Sequence, residues 1–215
     1  MSIRREALKT YVSGIYAGLC VALAACIYLV FSSFGLRPLG AVLFCVGLII
    51  IVIYKLSLFT GKIGYALAKD GPSPLTLLMT FLGNATAVIG AGFLLSLLRF
   101  TGWTALFDLI DGITLSRMIG SGEAWYMALF NGFFCGVLVF LAIYVYRVAK
   151  QTWIKWLGLV FFISLFVILG FEHCLANMYY FSLANAWNGS LVVNVLLVIV
   201  GNSLGGMFAY LIKFF

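Results

Sequence analysis

Charge is scarce in this chain. Its 215 residues include 13 Lys and Arg and 6 Asp and Glu, 9% charged against 65% hydrophobic. A soluble domain of that length carries far more charge, so the composition places the chain among integral membrane proteins. Histidine is scarcer still: His173 stands alone, which leaves no second imidazole for a histidine-built metal site. Paired cysteines are missing too. Cys20, Cys26, Cys45, Cys135 and Cys174 lie singly in apolar runs without a C-x-x-C pair. A thiol there acts as a small buried hydrophobe, so neither a disulfide framework nor a zinc site is indicated, and no cofactor is called for.

The net charge of +7 resembles that of a nucleic-acid binder. In a membrane protein it more often reflects basic loops facing the cytoplasm. The N-terminal stretch "SIRREALKTYVSGIYAGLCVALAAC" ends like a lipoprotein signal at Cys26, but the apolar run continues as "IYLVFSSF". A signal's apolar core is only about 7–15 residues, so an uncleaved first helix is expected.

A spanning helix needs about 20 apolar residues. Such runs occupy 11–34, 39–68, 75–100, 124–146, 153–183 and 190–213, with breaks at "GLRPLG", "KDGPSP", "DLIDGITLSRMIGSGE", "RVAKQTWIK" and "NAWNGS". With the N-terminus inside, Arg4, Arg5, Lys9, Lys69, Arg147, Lys150, Lys155 and Lys213 fall on or near the cytoplasmic side, and only Arg37, Arg99 and Arg117 fall outside. That bias predicts a multi-pass protein of the inner (plasma) membrane with both termini cytoplasmic. Trp153, Trp156 and Trp187 are expected in interfacial belts, and Lys55 and Lys62 are expected to snorkel to the cytoplasmic interface.

The second and fifth runs are too long for one upright helix. Steep tilt accounts for the length, and so does a break within the membrane. Candidate breaks are "LSLFTGK", Leu56 to Lys62, and "LGFEHC", each with Gly beside polar groups. They occupy the second helix of each three-helix half. The third helix carries "GNATAVIGAG" from Gly83 and the sixth carries "GNSLGG" from Gly201. Three crossings reverse the chain's direction, so the second half is inverted relative to the first. The expectation is an all-α membrane protein, one channel domain over 1–215, with repeats at about 11–100 and 124–213. Paired broken helices in inverted repeats point to a path at the midplane. The glycines Gly201, Gly205 and Gly206 fit either a helix-packing seam or the pore itself.

His173 and Glu172 sit together in the fifth run. Ionisable groups at that depth cost roughly 2.5–3.5 kcal/mol on insertion scales and are usually kept for function. An imidazole can donate a hydrogen bond to an anion or pass a proton near neutral pH.

The pieces "LKTYVSGIYAG" at the start, "LFTG" at 58–61, "GFEHCLANMY" at 170–179 and "GNSLGG" at 201–206 resemble the formate/nitrite transporter family in order and spacing over nearly the whole chain. The resemblance implies an aquaporin-like fold and a homopentamer with one pore per protomer. It also implies passage of small monovalent anions or their conjugate acids, of the formate, nitrite or hydrosulfide class. Carried over position by position, it makes His173 the central pore histidine. Glu172 is then its adjacent carboxylate, with Asn177 supporting the pore from the same motif, and Thr60 faces the histidine from the second-helix break. Phe44, Leu48, Phe59 and Phe166 become pore-lining or constriction residues, and Lys9 the vestibule cation that draws anions in. Two apolar rings around a wet centre would exclude hydrated ions and pass small weak acids.

The chain also departs from the family pattern. Ser57 stands where an acid is common, Lys62 where Asn is common, and Lys55 is a further cation. Gly136 replaces a fourth-helix Asn, with Asn131 nearby. The lysine expected before that helix is not evident, Arg117 being the nearest cation. Two other functions remain on the same residues: a neutral small-solute channel, and an intramembrane enzyme using Glu172, His173 and Cys174. Three consecutive helical residues point in different directions, which makes the last a poor catalytic constellation.

Overall fold

The computed structural model describes residues 3–212; Lys213, assigned above to the cytoplasmic side, lies outside them. The described residues form α1 (Ile3–Ser33), α2 (Arg37–Leu43), α3 (Cys45–Ile53), α4 (Phe59–Ile63), α5 (Pro74–Ser96), α6 (Thr104–Ser116), α7 (Trp125–Val148), α8 (Thr152–Ile168), α9 (Cys174–Leu183) and α10 (Gly189–Ile212). Single 3-10 turns follow α4 and α5. The helices at Ile3–Ser33, Pro74–Arg99, Trp125–Val148 and Gly189–Ile212 are each long and apolar enough to cross a bilayer. Leu19, Leu23, Phe130, Phe161, Leu196 and Leu204 are exposed on them and on α8, as an apolar surroundings requires. The chain is a multi-pass membrane protein.

The second and fifth crossings are composites, and the chain ends their first halves in the same way. After α3, the Leu56 N–H donates to Ile51 O at 2.9 Å; after α8, the Phe171 N–H donates to Phe166 O at 3.0 Å. Both turns need a left-handed residue. The second uses Gly170 (φ 76) and the first uses Lys55 (φ 54), where a side chain costs about 1–2 kcal/mol. The order of long helix, broken helix and long helix thus recurs on either side of α6, compatible with two inverted three-helix repeats.

In the first half α1 packs on α5, and in the second α7 packs on α10. The seams are close. A Cβ on Gly18 would lie 2.6 Å from Asn84 O, and one on Gly132 would lie 3.0 Å from Val198 O. Gly201 and Gly205 face the α7 backbone, and Gly206 faces Gly64. None of the three lines a cavity described below, so the geometry gives them packing roles.

The stretch between the third and fourth crossings holds a helix, α6. Arg99 ties it to the end of α5 through two hydrogen bonds to Asp111, both 2.8 Å, and stacks over Phe107 at 4.7 Å. Trp187 donates to Ser182 Oγ at 2.9 Å and packs edge-on against Phe181.

Candidate functional site

Breaking a helix inside a membrane frees backbone groups that lipid cannot satisfy. Two buried asparagines meet that demand. Asn84 on α5 accepts from the Phe59 N–H at 2.8 Å and donates to Ser57 O at 2.9 Å and Gly14 O at 2.8 Å. Asn202 on α10 accepts from the Cys174 N–H at 3.0 Å and donates to Glu172 O at 2.9 Å and Gly132 O at 2.7 Å. One amide spans each break and ties it to the neighbouring long helix. The sequence shows both as "GN" pairs, but nothing local assigns them this task.

The clamps hold the two breaks face to face. Thr60 Oγ1 and His173 Nε2 meet at 3.0 Å across them. Both residues are buried, and His173 Nδ1 has no partner among the described residues. The Phe166 ring stacks near the imidazole with centroids 6.1 Å apart, and Phe44 meets Phe166 edge-on at 5.7 Å.

Three cavities lie in series through this point. The first, about 620 Å³, opens beside α6 and is lined by Arg37, Asp108, Arg117, Glu123 and Glu172 among others, narrowing at Phe44, Phe166 and His173. The second, about 20 Å³, shares those three residues and adds Leu48, Ile51 and Leu58; its size suits one water-sized species. The third, about 440 Å³, begins at Ile51 and Leu58 and carries Lys55, Lys62 and Arg147. An apolar neck with one imidazole in its wall therefore joins two polar mouths. The third cavity opens on the face where α1 begins and α7 and α10 end, the terminal face, and the first opens beside α6 on the opposite face.

His173, Phe44, Leu48 and Phe166 line this path. Thr60 reaches it through the imidazole. Phe59 turns away and packs on Phe81 at 5.1 Å, lining none of the three cavities. Lys9 is exposed on α1, also outside their lining. Ile51 and Leu58, not singled out in the sequence, form the neck's other end. Leu58 occupies the place in its break that His173 occupies in the other.

Glu172 lies in a polar cluster at the first mouth. Its Oε2 accepts from Asn177 at 2.7 Å and Asn194 at 3.0 Å, and its Oε1 from Asn131 at 3.4 Å. Arg117 approaches at 3.7 Å and donates to Asn177 Oδ1. A second acid joins it: Glu123, in the loop before α7, accepts from the same Asn131 and Asn194 amides, each at 3.1 Å. Burial, and then the Glu172 charge, push the Glu123 carboxyl up to about 8. At neutral pH Glu123 is thus held toward its protonated form beside Glu172. Sequence gave no sign of this pairing, because the fold of α6 and its following turn brings Glu123 in.

The formate/nitrite transporter family model matches residues 1–215. The formate channel FocA of Haemophilus influenzae (strain ATCC 51907 / DSM 11121 / KW20 / Rd) is 30% identical over 185 residues, 79% of this chain and 64% of that protein. A formate-nitrite transporter of Entamoeba histolytica (strain ATCC 30459 / HM-1:IMSS / ABRM) is 33% identical over 90 residues, 39% of this chain and 25% of that protein. The chain spans less than two thirds of the length of these curated relatives. Among solved structures, a pentameric formate channel with formate bound superposes with TM-score 0.83 at 23% identity, covering 100% of both chains. An FNT family ion channel superposes with TM-score 0.81 at 24% identity, over 96% of this chain and 89% of that one. These likenesses show the fold.

Proposed function

The chain belongs to the formate/nitrite transporter family, and on that premise we propose that its neck passes small monovalent anions or their conjugate weak acids, alone or with a proton. The observation that carries this reading is the Thr60–His173 contact at 3.0 Å, set in an apolar passage that runs between two polar mouths. A small anion entering such a neck loses its water. The imidazole, positioned by the Thr60 hydroxyl, offers a donor or a proton where the dielectric is lowest. Phe44, Leu48 and Phe166 exclude larger hydrated species. Glu172 and Asn177 secure the break rather than meet the permeant directly. Lys9 adds positive potential on the face that we assign to the cytoplasm, where Arg4, Arg5, Lys69, Lys150 and Lys155 also lie.

Flux into proteoliposomes tests the reading, with formate, nitrite and hydrosulfide each compared with glycerol. Saturable anion flux above the glycerol rate is expected. Glycerol passage equal to that of the anions would replace it with a neutral-solute channel.

Assembly follows from the same premise. One solved relative is described as pentameric, and this protomer exposes apolar side chains such as Leu196, Val200, Leu204 and Phe208. A homopentamer with one path per protomer is expected, and mass measurement of the detergent-solubilised protein checks it. A stable monomer or dimer contradicts it.

The carboxyl pair predicts a pH response at the first mouth. Above about pH 8, Glu123 ionises beside Glu172 and adds a negative charge where anions enter. Wild-type anion flux from that side should fall through this range. Glu123→Gln fixes the neutral form, so it should match wild type at neutral pH and lose the alkaline decline. An identical decline in both proteins would separate Glu123 from entry.

A further inference from the structure

The two mouths differ in charge. Around the first, Arg37 and Arg117 are opposed by Asp108, Glu123 and Glu172. The third cavity is lined by Lys55, Lys62 and Arg147, with no carboxylate among its lining residues. The acids with sequence positions on that face, Glu6 and Asp70, are exposed and line none of it. Lys155 adds a further cation beside it, its ammonium 6.0 Å from the centroid of the Tyr146 ring.

Two details set this mouth apart from a solvated basic surface. Lys62 is half-buried, and its ammonium donates to Ser57 Oγ at 3.0 Å. Ser57 holds the place in the first break that Glu172 holds in the second, by the matching asparagine bonds to their carbonyls. Where one break carries an acid, the other carries a hydroxyl with an ammonium on it. Lys55 keeps a left-handed backbone (φ 54) at the turn where the other break uses Gly170 (φ 76). A long cationic side chain thus stands at a position whose backbone favours glycine, which points from strain to function. Arg147, its guanidinium 4.5 Å over the Tyr65 ring, closes the rim.

We propose that this mouth is a binding site for a small monovalent anion, built by Lys55, Lys62 and Arg147, that loads the neck from the terminal face, where α1 begins and α10 ends. The site rests on the transport reading above. Three like charges around one cavity repel one another, and a bound anion relieves that repulsion while it waits one apolar ring, Ile51 and Leu58, from the middle cavity. The balanced first mouth has no such excess, so the path is asymmetric: affinity for the anion is higher from the terminal face.

The test is the concentration dependence of formate flux, measured from each face in membrane vesicles of known orientation. Wild type should half-saturate at lower formate from the terminal face. Lys62→Gln should raise that concentration by about fivefold, with the value from the opposite face moving by less than about twofold. Lys62→Arg should restore most of it. Lys55→Gly should weaken saturation from the same face and leave thermal stability unchanged or higher, because it removes the left-handed strain; a structural lysine would show no loss of affinity. Equal half-saturation from both faces in wild type, or equal shifts from both faces in Lys62→Gln, overturns the site and leaves the transport reading standing. A wild-type protein that passes no anion from either face overturns both.

Discussion

Replacing His173 with Phe is expected to leave folding and assembly intact and to cut formate flux by roughly 10- to 150-fold, the equivalent of a lost charge-assisted hydrogen bond of about 1.5–3 kcal/mol. The ring lines both the first and second cavities. Its Nε2 is engaged with Thr60, and its Nδ1 has no partner among the described residues. A buried polar atom left unmatched costs free energy, so Nδ1 is the group best placed to meet a permeating species. Phe keeps the ring's volume beside Phe166 and removes both nitrogens. His173→Asn divides the role further, since an amide keeps a donor but does not titrate near neutrality. If His173→Asn conducts with a flat pH profile below the range in which Glu123 ionises, proton exchange is the histidine's contribution. If His173→Phe passes the same anions with the wild-type pH profile, the neck is not the selective element.

The second large effect concerns Asn202. Replacing it with Leu removes the partner of the Cys174 N–H and of the Glu172 and Gly132 carbonyls. The Gly132 carbonyl keeps its partner within α7, but the two groups of the break are orphaned at about 1–3 kcal/mol each, a large part of the margin of about 5–15 kcal/mol that holds a folded protein together. The expected result is loss of the assembled protein in detergent, or a large fall in its thermal midpoint. Asn84→Leu should behave alike, because the Phe59 N–H and the Ser57 carbonyl of the other break depend on it in the same pattern. Asn202→Asp keeps the acceptor and loses the donor, so it should fall between. A Leu variant melting within a few degrees of wild type would mean that the break satisfies its backbone by other means.

Both predictions bear on residues that were legible to different degrees. His173, Glu172 and Thr60 stand out in the sequence because polar groups are expensive in an apolar run, and Gly170 marks where the fifth helix stops; Gly61, the glycine the sequence offered for the second helix, lies within α4, and that helix stops at Lys55. The two "GN" pairs were visible as pairs, but their amides reach backbone far away in the chain, and no local pattern reports that.

The sequence by itself determined the class. Too few charges for a soluble surface, six apolar runs, two of them overlong, and a lysine and arginine bias toward one side follow from composition and spacing, because transfer into lipid is a local, nearly additive property of residues. Its motifs also placed the chain in its family. Only the tertiary structure decided which side chains share the path. Phe59 and Leu58 are neighbours, yet one packs on Phe81 and the other lines the neck. Glu123 meets Glu172 only because α6 turns the chain back over the first mouth, and Thr60 meets His173 only because two asparagines fix two breaks opposite each other. Once a helix is broken its 3.6-residue period no longer fixes where the next side chain points. Direction is then set by the backbone hydrogen bonds that the surrounding helices supply.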